Sequence, residues 1–469
     1  MNGSKDDILI FGGGLSGLAA GSVLTKAGRP VKVFERDADV GGLSKTIEKD
    51  GFRFDLGGHR FFTRDEKIDR FVRELMGSEL ITVQRSSKIL LQGKYFDYPL
   101  KPLNAMFGLG IMTTAGIMAD YLQETAKGLI RKKEARSLED WVVCKFGRKM
   151  FDIYFKEYSE KVWGIDCSRI SAAWVAQRIK GLSLAKAVKN AFFRVSGREL
   201  ATLTDCFLYP TFGIGRLSDR LKEEIEKTND VFTDTDVIKV HHDGFRVESV
   251  SVRYHDRVKR LPAAGCISTI PITKLVTLLD PAPPRRILQV ASMLKFRDLV
   301  VAAIMVDRER VTDQTWIYIP EKKIPFGRIH EPTNWSPAMA PPGKSIVVAE
   351  YFSFQGDAVW NRSDDELTRL TVDNLCRLGF IARSEVLGGM IVRVPKAYPL
   401  FEVGYREYAD ELHDYIGQFT NLMAAGRGGM FRYYNMDVAL RSGMEAAGSI
   451  IGKHRPATVE PSELVLANT

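Results

Sequence analysis

One short segment constrains this chain more than any other. Gly12-Gly13-Gly14-Leu15-Ser16-Gly17 is a GxGxxG standing between the apolar run Ile8–Phe11 and the helical pattern Leu15–Lys26. The run reads as a buried parallel strand, Gly28 closes the helix, and Val31–Phe34 reads as the next strand, which together make a βαβ unit. Gly12 permits the tight turn, Gly14 lets a pyrophosphate approach the backbone, and Gly17 allows close packing of helix on strand. Phosphates would then rest on the helix start at Leu15 and Ser16, where free N–H groups and the dipole favour anions. Glu35, with Arg36 beside it, ends the second strand 23 residues after Gly12. A carboxylate there is placed to accept from a ribose 2′-OH, which points to FAD or NAD rather than NADP.

A second set of glycines separates those two. Val40-Gly41-Gly42-Leu43 is followed by Phe54-Asp55-Leu56-Gly57-Gly58-His59. A glutamate followed by two glycine pairs resembles the amine-oxidase and mutase superfamily of flavoproteins. In that superfamily such glycines let the backbone lie along the FAD diphosphate and beside the isoalloxazine. Residues 266–269, running into Pro271, with Val237 upstream, resemble its second cofactor-side strand pair. Near the C-terminus, residues 421–425 return to a strand–glycine pattern through Gly426 and Arg427, and Asn435 and Met436 open a last helix over 436–451. Its N-terminus would favour negative charge on reduced flavin.

The chain between these segments divides in two. Residues 100–200 read as mostly helical, with Ser137 and Asp140 offering a capping box and Phe151, Tyr154, Phe155 and Tyr158 at helical spacing. Strands read at 237–240, 245–252, 299–306, 316–319, 345–351 and 388–394. The expected fold is therefore α/β: a Rossmann-type FAD-binding domain with an inserted helical domain and an antiparallel-sheet substrate domain. The discontinuous FAD domain takes 1–80, 205–280 and 412–455. The helical domain takes 100–200, the sheet domain takes 81–99 and 285–411, and 456–469 is a tail.

The formal charge of +9 over 469 residues suits an anionic small ligand or an acidic membrane surface. No basic block with interleaved aromatics marks nucleic-acid binding. Five cysteines without CxxC spacing argue against zinc or a disulfide framework, and with no leader ahead of the first strand a cytoplasmic location is expected. Residues 102–119 carry no charge, and residues 121–136 carry Lys127, Arg131, Lys132, Lys133 and Arg136. The first stretch reads as a buried or interfacial helix rather than a span. The second reads as a solvated helix face, with peripheral contact at the inner membrane face as the alternative.

The chain closely resembles UDP-galactopyranose mutases along most of its length. The segments that carry the likeness are Gly57-Gly58-His59-Arg60-Phe61-Phe62-Thr63, Phe96-Asp97-Tyr98-Pro99, Tyr158-Ser159-Glu160-Lys161-Val162-Trp163-Gly164, Phe326-Gly327-Arg328-Ile329, Tyr398-Pro399, and Gly426-Arg427 through Tyr433-Tyr434-Asn435-Met436. The resemblance implies redox-neutral ring isomerisation of a nucleotide-linked sugar through an adduct with N5 of reduced FAD, with NAD(P)H as a candidate external reductant and a homodimer as a candidate assembly. It implies that Tyr158 and Trp163 line the nucleotide and sugar pocket. Arg328, Tyr398 and Tyr434 would bind the diphosphate, Arg328 also stabilising leaving-group charge, and His59 would hold the flavin in its working state. Two positions depart from the family. Leu182 stands where a second diphosphate arginine is expected, with Lys180 and Lys186 as candidate substitutes, and Phe62 replaces a loop histidine. The runner-up is an FAD-dependent oxidase or desaturase of a lipophilic substrate, similar to protoporphyrinogen oxidases.

Overall fold

The computed structural model describes residues 3–98, 111–130, 135–178 and 206–452. The N-terminal unit forms as the glycines require. Five parallel strands lie in the order Leu422–Ala424, Gly265–Ser268, Ile8–Phe11, Val31–Phe34 and Asp230–Phe232. Ile8–Phe11 is central and every residue of it is buried, so it is apolar throughout rather than alternating. The helix Leu15–Lys26 packs on this sheet against the last helix, Met436–Gly452. Two glycines make that packing possible. A Cβ on Gly17 would stand 2.0 Å from the Gly12 carbonyl oxygen, and one on Gly443 would stand 1.9 Å from that of Ser16.

A four-stranded sheet, Arg257–Pro262, Val247–Tyr254, Thr235–His242 and Leu279–Asp280, adjoins this unit. The expected strand 245–252 thus starts two residues later, because Asp243 takes the Phe245 and Arg246 amides into a turn. The largest sheet has seven strands, in the order Val386–Pro399, Phe296–Val306, Ser345–Ser353, Arg328–His330, Trp316–Tyr318, Ser87–Leu91 and Lys94–Asp97. Phe296–Val306 sits between two antiparallel partners. Its alternate residues serve different cores: Val300, Ala302 and Ile304 on one face, Leu299, Val301 and Ala303 on the other. The helix Asp364–Arg377, started by a Ser363–Glu366 capping box, packs on this sheet against the first and second of its strands.

The helical part holds Ile111–Ile130, Leu138–Phe146, Glu157–Trp163 and Ala172–Arg178. Ser137 and Asp140 form the expected reciprocal cap: the Ser137 hydroxyl accepts from the Asp140 amide at 3.1 Å, and the Asp140 carboxylate accepts from the Ser137 amide at 3.3 Å. The aromatic run starting at Phe151 is a π-helix, Phe151–Lys156, rather than a plain α-helix. The pairings support, as a proposal, the partition into a discontinuous FAD domain, a helical domain and a sheet domain. One strand departs from it: Leu80–Gln84 pairs with Cys206–Pro210 instead of joining the seven-stranded sheet. A hairpin, Thr46–Lys49 with Phe52–Asp55, carries the chain to the second glycine pair. Leu182, Lys180, Lys186 and the tail lie outside the described residues.

Candidate active site

The first glycine loop is a cradle with room left in it. Gly14 caps the helix Leu15–Lys26 with no side-chain hydrogen bond, so the first-turn amides are not capped from a side chain. A Cβ on Gly14 would meet nothing nearer than Gly42 Cα at 3.9 Å. Gly14 is half-buried and a Cβ there would make only ordinary contact, so it borders accessible space, whereas Gly17 is needed for packing. Gly41 bridges to Gly14, with φ values of +110° at Gly41 and +57° at Gly42, so both glycine sets border the same space. Ser16 turns away from it and donates to the Ala439 carbonyl at 2.7 Å, tying the first helix to the last.

Glu35 is buried and holds the loop in shape. Its carboxylate accepts from the Gly13 amide at 2.8 Å and the Asp37 amide at 3.0 Å. Burial raises its pKa, and those two amides pull it back down. Arg36 is exposed and lies near Asp37. Leu15 and Val237 are buried, and Leu43 is half-buried. These residues suit a dinucleotide: an open space at Gly14, an uncapped helix start, and a carboxylate fixed at the end of the second strand.

A second concavity opens beyond Gly58. It is lined by Gly58, His59, Arg60, Phe62, Trp316, Arg328, Tyr398, Arg427, Tyr433, Asn435 and Met436. Arg328 enters it from the strand Arg328–His330, directly across from Glu350 on the neighbouring strand. Glu350 accepts from Arg328 Nε at 2.8 Å and from Nη2 at 2.5 Å, with the carboxylate wholly buried. Burial works against both charges, but the Arg328 charge and His330 outweigh it and hold Glu350 at about 2. The same pairing keeps the guanidinium charged, above its usual range. The second glycine pair presses on this ion pair: Cβ atoms on Gly57 and Gly58 would stand 3.4 Å from Glu350 Oε2 and 3.6 Å from Arg328 Cζ.

Among the described residues Arg427 is held by carbonyls rather than by a carboxylate. Its Nε and Nη2 donate to the Tyr434 carbonyl at 2.9 and 2.7 Å, and Nη1 donates to the Ala397 carbonyl at 3.3 Å. The rings of Tyr398 and Tyr433, stacked 6.3 Å apart, lie 5.6 and 5.0 Å from its guanidinium carbon. Burial, and then the Arg427 charge, push His59 down to about 4, so its imidazole is neutral at pH 7. His59 Nδ1 is buried with no hydrogen-bond partner among the described residues.

The structure brings together Arg328, His59, Tyr398, Gly58, Arg427, Asn435 and Met436. Tyr434 is not with them: it is fully buried, and its neighbour Tyr433 lines the concavity. Trp163 is also buried, packed on Trp174 and Phe401, and reaches the site only through an edge contact to Tyr398 at 6.4 Å. Tyr158 meets Tyr318 edge-on at 5.8 Å, and its hydroxyl has no partner among the described residues. Sequence reading missed Glu350, Tyr433, Arg60 and Trp316. For Glu350 a signal was present, because one carboxylate inside an otherwise uncharged strand, Ser345–Ser353, needs a cationic partner. Among the described residues no His, Cys, Asp and Glu group could hold a metal ion, and no helix is long and apolar enough to cross a membrane.

The pattern of the family described as flavin containing amine oxidoreductase matches residues 15–451. A protein described as a UDP-galactopyranose mutase of Klebsiella pneumoniae is 25% identical over 181 residues, 36% of this chain; the match spans 44% of that protein's length. The coproporphyrinogen III oxidase of Bacillus subtilis (strain 168) is 21% identical over 451 residues, covering 88% of this chain and 91% of that one. Among solved structures, reduced UDP-galactopyranose mutase superposes with a TM-score of 0.82 at 20% identity, covering 99% of this chain and 96% of that one. A protein described as a protoporphyrinogen oxidase of Exiguobacterium sp. 255-15 gives 0.74 at 18%, covering 97% and 100%. These structural likenesses carry the fold.

Proposed function

The chain belongs to the flavin-containing amine oxidoreductases and is an FAD-dependent enzyme, and within that family we propose that it isomerises the ring of a nucleotide-linked sugar. The observation that carries this reading is the lining of the second concavity. Arg60, Arg328 and Arg427 line it, and no carboxylate is among its lining residues. That lining suits a dianionic diphosphate. The likeness to mutases in sequence and fold supports the same reading.

Reduced FAD, when bound, supplies the nucleophilic N5 that this chemistry needs. The chain's own residues do the rest. Arg328 is held by Glu350 through Nε and Nη2, which leaves Nη1 free to take a diphosphate oxygen and to stabilise charge as the nucleotide leaves. Tyr398 and Tyr433 flank the same space and supply neutral donors. Neutral His59 would offer a hydrogen bond to a bound flavin without placing a positive charge beside it. Tyr158 and Trp163 support the pocket from behind, the first toward Tyr318 and the second behind Tyr398. NAD(P)H as reductant, a homodimer and a cytoplasmic location belong to the same proposal.

Anaerobic incubation of the dithionite-reduced protein with a panel of UDP-sugars tests the reading. An isomeric product with no net change in flavin oxidation state supports it. No conversion of any UDP-sugar, together with oxygen uptake on a lipophilic substrate in a separate aerobic assay, replaces it by the oxidase reading. The uncharged stretch 102–119 and the full-length likeness to a coproporphyrinogen oxidase favour that alternative.

A further inference from the structure

The helix Ile111–Ile130 carries an apolar face that stands exposed among the described residues. Met112, Ala115, Ala119, Leu122 and Ala126 are all exposed, and their steps of three and four put them along one line of the helix. Met112 is 88% exposed and Leu122 is 63% exposed, where core-facing side chains of that size would be covered. The opposite side is the one that packs. Ile117 is buried, Asp120 accepts from the Lys149 amide at 2.9 Å, and the helix lies against Leu138–Phe146 and Arg148–Met150. The exposed line is therefore a second face, separate from the one that holds the helix in the fold.

Cations stand near that face. Lys127 is exposed at the C-terminal end of the helix, 2.7 Å from Glu124, and Lys145 and Lys149 are exposed on the helices packed against its other side. The Lys149 ammonium lies beside the helix itself, 2.7 Å from where a Cβ on Gly116 would be. Between residues 111 and 150 the sequence holds eight Lys and Arg against five Asp and Glu, and Arg131, Lys132 and Lys133 follow the helix directly. An uncharged apolar line bordered by a positive excess has the chemistry of an interfacial helix on an anionic bilayer. A second copy meeting this face with its own copy of the face would bring the same positive excess against it.

We propose that the Ile111–Ile130 helix docks this protein on an anionic lipid surface, with Met112 and Leu122 entering the acyl boundary and the flanking lysines meeting the headgroups. The docking rests on this helix alone and is tested apart from the proposed reaction.

Sedimentation of the FAD-loaded full chain with phosphatidylcholine vesicles, alone or mixed with phosphatidylglycerol, tests it. The protein is expected to pellet with the mixed vesicles at low salt and to be released by high salt. The double variant Met112→Asp, Leu122→Asp should lower the bound fraction by about tenfold or more while keeping the flavin absorbance and the elution volume of the wild type. Failure to pellet with anionic vesicles, or equal pelleting of the double variant, overturns the proposal. Conversion of a dimer to a monomer by the double variant, with no vesicle binding by the wild type, assigns the face to a second copy instead.

Discussion

Glu350→Ala should destabilise the protein strongly, because it leaves Arg328 charged and buried with its partner gone. Two routes give the size. Glu350 is held at about 2 against an ordinary 4.5, which by linkage corresponds to roughly 3 kcal/mol at neutral pH. Breaking a buried pair by removing one member costs about 3–5 kcal/mol in general. The sign with pH follows from the depressed pKa. The contribution is complete above the unfolded carboxylate value near 4.5 and is lost as pH falls toward 2. Urea unfolding of the FAD-bound protein, followed by tryptophan and flavin fluorescence, should therefore show a constant deficit for the variant from pH 5 to neutrality. The wild-type advantage should shrink below that range. Glu350→Gln, which keeps one acceptor for Arg328, should lose less stability. A deficit under about 1 kcal/mol for Glu350→Ala at pH 7 would refute the buried pair as the element that fixes Arg328.

The glycine loop separates two roles. Gly14→Val should fold yet elute colourless, because its side chain fills open space, while Gly17→Val should fail to fold, because it strikes the Gly12 carbonyl; expression and flavin absorbance of the two read this out. Glu35→Ala should weaken FAD binding by about 1–3 kcal/mol in a flavin-fluorescence titration, through loss of the Gly13 and Asp37 contacts. Asp55, buried beneath Thr46 and Tyr209, is raised to about 7 mainly by burial. Its raised folded pKa means that stability falls as pH rises from about 4 to about 7, so Asp55→Asn should flatten that slope in melting-temperature curves, and parallel curves would sink the idea. Arg328→Ala strands the buried Glu350 carboxylate and should lower stability too, and in protein that keeps its flavin it should cut turnover by about 10²–10³. Tyr433→Phe should cost about one hydrogen bond.

The parts of this molecule written in local pattern could be read from the chain. Gly12 to Glu35 declares its βαβ unit because turn, strand and helix signals follow each other within one short stretch, and strands such as Phe296–Val306 show as long apolar runs. The hairpin Thr46–Asp55 carried its own signal, Asp50-Gly51 between two short runs in which Ile47, Phe52 and Phe54 stand among charges, and sequence reading passed over it. The site needed the third dimension. Arg328 and Glu350 are 22 residues apart and meet only through strand register. Tyr433 and Tyr434 are adjacent, and spacing cannot say which one turns toward the concavity. Trp163 shares a motif with Tyr158, yet packing against Trp174 and Phe401 takes it out of the pocket lining. Local signals mark elements and backbone strain, while side-chain direction at a site is decided by what packs behind it.

Fluorescent UDP, titrated by anisotropy into the oxidised and the dithionite-reduced protein, decides whether the arginine-lined concavity holds a nucleotide diphosphate. Binding is expected to be saturable, to tighten on reduction, to be displaced by unlabelled UDP, and to be lost in Arg328→Ala while the flavin remains bound. Absence of UDP binding in both redox states, with a full complement of flavin, would contradict it.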